Sequence, residues 1–257
     1  MHSAPVYLAD IDRFLQASLV IDRYPETERG GIYYPSSRPI HRIGLALEPF
    51  SKLSDWVLEN QLDALWLHRP WQLDLAALPN DFGVLTHHLP FDESLSIGYN
   101  QQLATQLGAT SDLEPLGYKQ DSAKNGSVLP QRPLGMLVDV AQREFDEWLD
   151  TIQELFGGYD RAEAGHSMAR WQPMSSRVAV VGAMTNTLVR EASERGAHLY
   201  VTGAYRKPGQ QAVDETGIAV IAVGHRRSEE WGLQALADLL QAHFPIECVI
   251  REPLPIR

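Results

Sequence analysis

Cysteine is nearly absent from this sequence, since Cys248 is the only one among 257 residues. A disulfide within the chain is therefore impossible, and a zinc site built on several cysteines is excluded. Long apolar runs are also absent, because none approaches the ~20 residues that a membrane-spanning helix needs. The N-terminus lacks the basic-then-apolar pattern of a signal peptide. We therefore expect a cytoplasmic protein that has no membrane partner.

Basic residues are few as well. The chain has 22 lysines and arginines against 33 aspartates and glutamates, so its formal net charge is −11. Unspecific nucleic-acid binding needs a basic face, and we therefore expect no nucleic-acid partner. A local basic patch is still possible at Arg206-Lys207 or at Arg226-Arg227. The sequence has no glycine-rich phosphate loop, no G-x-S-x-G elbow and no H-E-x-x-H motif.

Apolar runs of strand type alternate with helical patterns along the chain. The predicted strands cover residues 43–47, 64–67, 83–88, 116–118, 134–138, 177–182, 198–201, 218–223 and 246–250. The predicted helices cover residues 6–19, 50–59, 97–107, 141–155, 187–194, 208–216 and 228–242. This alternation predicts an α/β fold with mostly parallel or mixed sheets.

Two windows of the sequence share one layout. The window from Arg42 and the window from Arg177 each show a strand, a loop, a helix, a second strand and a polar loop. We therefore expect two similar α/β domains related by an internal pseudo-duplication, at residues 1–125 and 126–257. Closing strands or a closing helix could be exchanged between these halves. The alternative is convergence, because any two βαβ units look alike.

Candidate metal ligands follow several of the predicted strands. His68, His88, Asp92 and His225 lie at or just after strand ends, where the functional loops of such sheets are found. His225 and Glu229 are four residues apart, which places both on one face of a helix turn. Imidazole and carboxylate groups are the usual ligands of zinc, iron or manganese. The H-x-x-x-E spacing also arises by chance, and a histidine of this kind can be purely structural.

His87 and His88 form a second candidate pair. In a strand the two side chains point to opposite faces, so only one of them can serve a site. His88 precedes Asp92 and is the better candidate for a substrate contact or a proton carrier, with a backbone hydrogen bond as the alternative role. Arg69 could bind a substrate phosphate or carboxylate, and its alternative is a solvated side chain.

Aromatic residues flank the loop that contains His68. Core packing is the default role of Trp66 and Trp71, and stacking on a nucleobase is the alternative. Thr202-Gly203 could bring backbone N–H groups near an anion, although a plain turn is the simpler interpretation.

Four segments, in sequence order over most of the chain, resemble the YbgI-like family. This family is also called NGG-interacting-factor-three-like and is often labelled GTP cyclohydrolase I type 2 homologue. The four segments are DALWLHRPW, THHLPFDESLSIGYNQQLATQLG, RVAVVGAMTNTLVREASERGAHLYVTG and AVGHRRSEEWGLQALADLL.

The resemblance implies two similar α/β domains with a dinuclear metal centre in the cleft between them, which would hold divalent ions (zinc, iron or manganese). By motif, the ligands would be His68, Asp92, His225 and Glu229, with His88 beside them. The resemblance also implies a homo-oligomer, a ring-like homohexamer.

The sequence departs from the family pattern at three places. Arg69 replaces the second histidine of the first motif, and a cation cannot ligate a metal ion. Ala204 replaces the glutamate that usually follows the Thr-Gly turn, and the segment from Tyr205 to Pro208 lacks a histidine often found there. The site could therefore hold one metal ion, hold two weakly, or hold none.

Two functions follow from these residues. The first is a metal-dependent hydrolase that acts on a small nucleotide-like or heterocyclic substrate. Metal-activated water would attack a C–N or similar bond, His88 would carry a proton, and Arg69 would bind substrate. The alternative is a degenerate family member that acts as an oligomeric metal-binding or regulatory protein without catalysis.

Overall fold

The structure is a computed structural model, and it describes residues 4–165 and 176–251. Within those residues the strands are β1 (Gly31–Tyr34), β2 (Arg42–Ala46), β3 (Ala64–Leu67), β4 (Gly83–Thr86), β5 (Glu114–Lys119), β6 (Arg132–Val140), β7 (Arg161–Glu163), β8 (Ser176–Val181), β9 (Leu199–Thr202), β10 (Ala219–Ala222) and β11 (Glu247–Ile250). The helices are α1 (Leu8–Ser18), α2 (Leu53–Glu59), α3 (His88–Leu95), α4 (Gln101–Leu107), α5 (Phe145–Phe156), α6 (Asn186–Glu194), α7 (Lys207–Thr216) and α8 (His225–His243). Every strand and helix predicted from the sequence is present, with small shifts of its ends.

The sequence patterns missed three elements, β1, β7 and α3. Strand β1 is only four residues long and lies at a sheet edge with three of its residues exposed. Strand β7 is also an edge strand, with no fully buried residue. Helix α3 contains Pro90, which lies in its first turn, where a helix tolerates proline.

The prediction that His87 and His88 lie in a strand is wrong. Strand β4 ends at Thr86, and helix α3 begins at His88. The backbone carbonyl of His87 accepts a hydrogen bond from the Phe91 N–H at 2.9 Å, which is the first turn of that helix. His88 and Asp92 therefore lie four residues apart on one helix face.

The first compact unit contains residues 4–91, 121–130 and 233–251. Its sheet has the strand order β1-β4-β3-β2-β11, in which β4, β3, β2 and β11 run parallel and β1 runs antiparallel to β4. Helix α2 packs its buried Leu53 and Val57 against strand residues such as Leu65 and Val84. The carboxyl ends of β3 and β4 consequently lie side by side at one edge of this sheet.

The second compact unit contains residues 92–120, 131–165 and 176–232. Its sheet has the order β5-β6-β8-β9-β10-β7, with a parallel centre formed by β8, β9 and β10. The alternation along β8 sends Val178 and Val180 to one face and Ala179 and Val181 to the other. Helices α4 and α5 cover the first face and helices α6 and α7 cover the second, so the sheet is buried on both sides.

Both sheets are mixed, as expected, and each contains a parallel βαβ unit. These units are β2-α2-β3 and β8-α6-β9, which correspond to the two similar windows of the sequence. The compact units interleave along the chain, since β5 precedes residue 125 but lies in the second unit, and β11 lies in the first. The domain boundary at residues 125/126 and the duplication of two halves stay predictions. No helix within the described residues is both long and apolar enough to span a bilayer.

An ion-pair cluster joins three strands of the second sheet. The Arg177 guanidinium donates hydrogen bonds to Asp139 at 2.8 Å and to Glu114 at 2.6 Å. The Asp139 pKa lies below its ordinary value mainly because Arg177 donates to this carboxylate. The Glu114 pKa is lowered by hydrogen bonds from Arg195 and then from Arg177. Both carboxylates therefore stabilise the fold above their unfolded pKa values of ~4, and this stabilisation is lost as the pH falls through their folded pKa values.

We expect Arg177→Met to lower the melting temperature at pH 7, with a loss of roughly 0.5–1 kcal/mol because the groups are partly solvated. At pH 3 the difference from wild type should shrink, since protonation weakens the same ion pairs in the wild-type protein. Thermal melts at both pH values measure this. Arg13→Met is the control, because its single ion pair with Asp10 is at the surface. An equal loss at both pH values would contradict the assignment.

Candidate metal centre

His68 directly follows β3 and is tied to both neighbouring strands. Its backbone N–H donates to the Ala46 carbonyl at 3.1 Å, which continues the ladder with β2. Its own carbonyl accepts a hydrogen bond from the Thr86 hydroxyl at the end of β4, at 3.2 Å. The residue is fully buried. These contacts fix the position from which the imidazole reaches the sheet edge.

Helix α3 brings His88 and Asp92 to the same edge. It starts directly after β4, which is the parallel neighbour of β3. His68, His88 and Asp92 each offer one ligand atom, and all three atoms lie within 4.8 Å of one another. The His68 and His88 rings are 4.5 Å apart between centroids. A single divalent ion can reach three donors at such separations.

Aromatic packing holds these rings in place. Phe91, one helix turn after His87, lies 5.0 Å from the His68 ring and 4.8 Å from Trp66 between centroids. Trp66 is fully buried, so the packing role predicted for it is the one that the structure shows. Two imidazoles and one carboxylate held in this way fit the preferences of zinc, iron or manganese.

His87 points away from this group and forms a buried polar contact of its own. The Trp66 indole N–H donates to His87 Nδ1 at 3.4 Å, and His87 Nε2 lies 3.3 Å from Asp12 Oδ1. Because Nδ1 accepts, Nε2 carries the proton that faces Asp12. The Asp12 carboxylate also accepts from the Gln16 side chain at 2.7 Å. This chain of contacts connects α1 to the first residue before α3.

His225 and Glu229 form a pair in the second unit, as their spacing predicted. His225 begins α8 three residues after β10, and its Nε2 lies 3.0 Å from Glu229 Oε1. The His225 side chain is 56% exposed, whereas that of Glu229 is 3% exposed. A buried carboxylate thus orients an accessible imidazole. Their membership in the same centre as His68 and Asp92 stays a prediction.

Arg69 lies next to His68 in the chain but has a different environment. Its backbone N–H donates to the Leu47 carbonyl at 2.7 Å, and its guanidinium Nη1 lies 3.9 Å from Glu48 Oε2. The side chain is 18% exposed. The role of Arg69 in binding substrate stays a prediction.

A cavity of about 400 Å³ adjoins His68 and His88 within the first unit. Its other walls include Glu28, Tyr33, Trp71 and Thr86. No sequence pattern pointed to Glu28 or Tyr33, because both lie between the predicted helix at residues 6–19 and the predicted strand at residues 43–47, where no element was expected. Trp71 was recognised as a flanking residue, and its 63% exposure is unusual for a tryptophan.

The chain belongs to the Duf34/NIF3 (NGG1p interacting factor 3) family, whose sequence model matches residues 72–253. It is similar to proteins named GTP cyclohydrolase 1 type 2 homolog. The one from Pseudomonas aeruginosa is 27% identical, covering 93% of this chain and 92% of that protein. The one from Deinococcus radiodurans is 26% identical, covering 92% and 89% respectively.

Solved structures of similar fold are also known. A hypothetical protein from Staphylococcus aureus superposes with a TM-score of 0.72 at 15% identity, covering 99% of both chains. The protein called ybgI superposes with a TM-score of 0.69 at 18% identity, covering 98% of this chain and 100% of that one. At these identities the likeness shows the fold. The resemblance to the YbgI-like family, inferred from four sequence segments, is confirmed.

We expect Asp12→Ala to destabilise the protein by about 1–3 kcal/mol, because it removes the carboxylate that lies 3.3 Å from the buried His87 Nε2. The matched control is Asp55→Ala, which removes an exposed carboxylate from helix α2. Thermal melts give the loss of stability, and hydrogen exchange at the Phe91 amide reports whether the start of α3 opens more often. Equal behaviour of the two variants would contradict a structural role for the Asp12–His87 contact.

Proposed function

We propose that this protein is a metal-dependent hydrolase that acts on a small nucleotide-like or heterocyclic substrate. The observation that carries the proposal is the group formed by His68, His88 and Asp92, whose ligand atoms lie within 4.8 Å of one another beside an open cavity. His68, His88 and Asp92 would hold a divalent ion, which would supply water activated for attack near neutral pH.

The residues of the group have different surroundings, which suggests different tasks. His68 is fully buried and hydrogen-bonded through its backbone to two strands, so it suits a fixed ligand. Asp92 sits one turn into α3, and its carbonyl accepts from the Ser96 hydroxyl at 2.7 Å. His88 is partly exposed and lines the cavity, so it suits one of two tasks, either that of a third donor to the ion or that of a proton carrier facing a substrate.

His225 and Glu229 remain proposed ligands as well, and this part of the proposal rests on the family motif. Their contact at 3.0 Å supports it, because a buried glutamate is placed to orient the imidazole or to share a cation with it. A second ion would therefore depend on this pair. The proposed centre holds one or two ions of zinc, iron or manganese, and a homo-oligomer is proposed by resemblance only.

The alternative proposal is a regulatory or interaction protein that binds metal without catalysis. Arg69 and Ala204 support it, because each replaces a residue that the family motif would offer to the centre. Arg69 has a carboxylate neighbour in Glu48, so a cation at this position does not require a substrate to balance its charge. Both proposals include metal binding by His68, His88 and Asp92. Catalytic turnover of a substrate distinguishes them, because only the hydrolase would show it.

We expect Asp92→Asn and His68→Gln each to lower metal binding by about tenfold or more, since even loss of a ligand's outer partner typically costs ~10–100-fold in affinity. Metal content is measured by elemental analysis of protein purified without chelator, then after adding iron, manganese or zinc. His41→Gln is the control for histidine replacement, because His41 is exposed and pairs with Asp63. Wild-type protein that binds none of these metals would contradict the proposal.

We expect His225→Gln to reduce bound metal while the melting temperature stays close to that of wild type. Glutamine keeps an N–H donor for Glu229 but is a poor ligand for these ions. Arg226→Gln serves as the matched control, since the next residue is similarly exposed and pairs with Glu230. If His225→Gln retains its full metal content, His225 is not a ligand, and the proposed centre consists of His68, His88 and Asp92 alone.

A further inference from the structure

We propose that the cavity beside His68 and His88 binds an uncharged or cationic planar nitrogen heterocycle in the form of a nucleoside, and discriminates against its phosphorylated form. This inference rests on the proposed function, because the bound ring would lie beside the proposed metal centre. It goes further by assigning a chemical class to the ligand from the residues that line the cavity.

Exposed aromatic side chains form part of the cavity wall. Trp71 is 63% exposed and Tyr33 is 47% exposed, although both side chains are large enough to favour burial. The Trp71 ring contacts His88 edge-on, with 5.8 Å between centroids. The aromatic part of the cavity wall is therefore adjacent to one of the proposed metal-binding residues. Open aromatic faces of this kind offer stacking surfaces to a flat ring, whichever base it carries.

The charge of the cavity wall selects against anions. Glu28, an exposed acidic residue, is one of the residues that line the cavity. No lysine or arginine lines the cavity among the residues that the structure describes, and Arg69 is close to Glu48. A phosphate would meet a negative group and no cationic side chain to offset the repulsion. A ring N–H or an exocyclic amino group would instead find in Glu28 a hydrogen-bond acceptor.

The size of the cavity agrees with this ligand class. Its volume of about 400 Å³ lies in the lower part of the range of small-molecule sites, ~300–1,000 Å³. A base and its sugar fit such a volume better than a base with a chain of phosphates. The hydroxyl of Thr86, also on the wall, adds a polar contact for a sugar or a ring substituent.

The experiment titrates the full-length chain with adenosine, guanosine and cytidine and with their 5′-monophosphates, using calorimetry. The preference for a nucleoside over its monophosphate is measured on chelator-treated protein, because a bound divalent cation would itself attract phosphate. We expect at least one nucleoside to bind, and to bind about tenfold or more tightly than its monophosphate. Binding should also quench tryptophan fluorescence.

Two variants, each with a control variant, test whether the cavity wall causes the preference for a nucleoside over its monophosphate. Trp71→Ala should weaken nucleoside binding by about tenfold or more, through the loss of stacking. Tyr118→Ala, which removes an exposed aromatic residue of β5 outside this cavity, should have no effect. Glu28→Gln should reduce the discrimination against the monophosphate, whereas Glu26→Gln, an exposed carboxylate two residues earlier, should preserve it.

Three results would overturn the inference: no binding of any nucleoside, equal or tighter binding of the monophosphates, or unchanged binding by Trp71→Ala. Metal content measured on the same wild-type preparation separates this inference from the proposed function. Protein that binds metal but no nucleoside leaves the metal centre standing and refutes the ligand class. Protein that binds a nucleoside but no metal refutes the proposed hydrolase and leaves the cavity assignment intact.

Discussion

The parallel pairing of β3 with β4 is the constraint on which the candidate centre depends. Trp66 pairs with Leu85 in this register, so Leu67 and Thr86 end their strands at the same sheet edge. Each strand is followed immediately by polar residues, and the Thr86 hydroxyl bonds back to the His68 carbonyl. Because α3 starts two residues after β4, the helix can deliver His88 and Asp92 only to the place where His68 already lies.

The second unit repeats this arrangement with different residues. Strands β9 and β10 are parallel neighbours, and β10 is followed by Gly224 and then by the helix that starts at His225. Gly224 adopts a φ of +108°, a conformation that other residues rarely take, which allows the sharp passage from strand to helix. A strand end, a short turn and a helix that carries a histidine and an acidic residue four positions apart thus occur twice in the chain.

Features that depend on neighbouring residues in the chain could be predicted from the sequence. Apolar periodicity located β3, β4 and β10, and the i, i+4 spacing anticipated the contact between His225 and Glu229. Sequence patterns missed α3, where Phe91 packs on Trp66 of β3 with 4.8 Å between ring centroids, a contact between residues far apart in the chain. Pairwise contacts between distant residues, such as Asp12 with His87, cannot be read from any short window. The cavity wall at Tyr33 was missed for the same reason.

The central claim is that His68, His88 and Asp92 form a metal centre. An anomalous-scattering map from a crystal soaked with zinc or manganese tests it most directly, because it locates the ion among the side chains. The account predicts a peak within coordination distance of these residues, ~2.0–2.2 Å from their ligand atoms. A map with no peak there, or with a peak only at unrelated surface carboxylates, would contradict it.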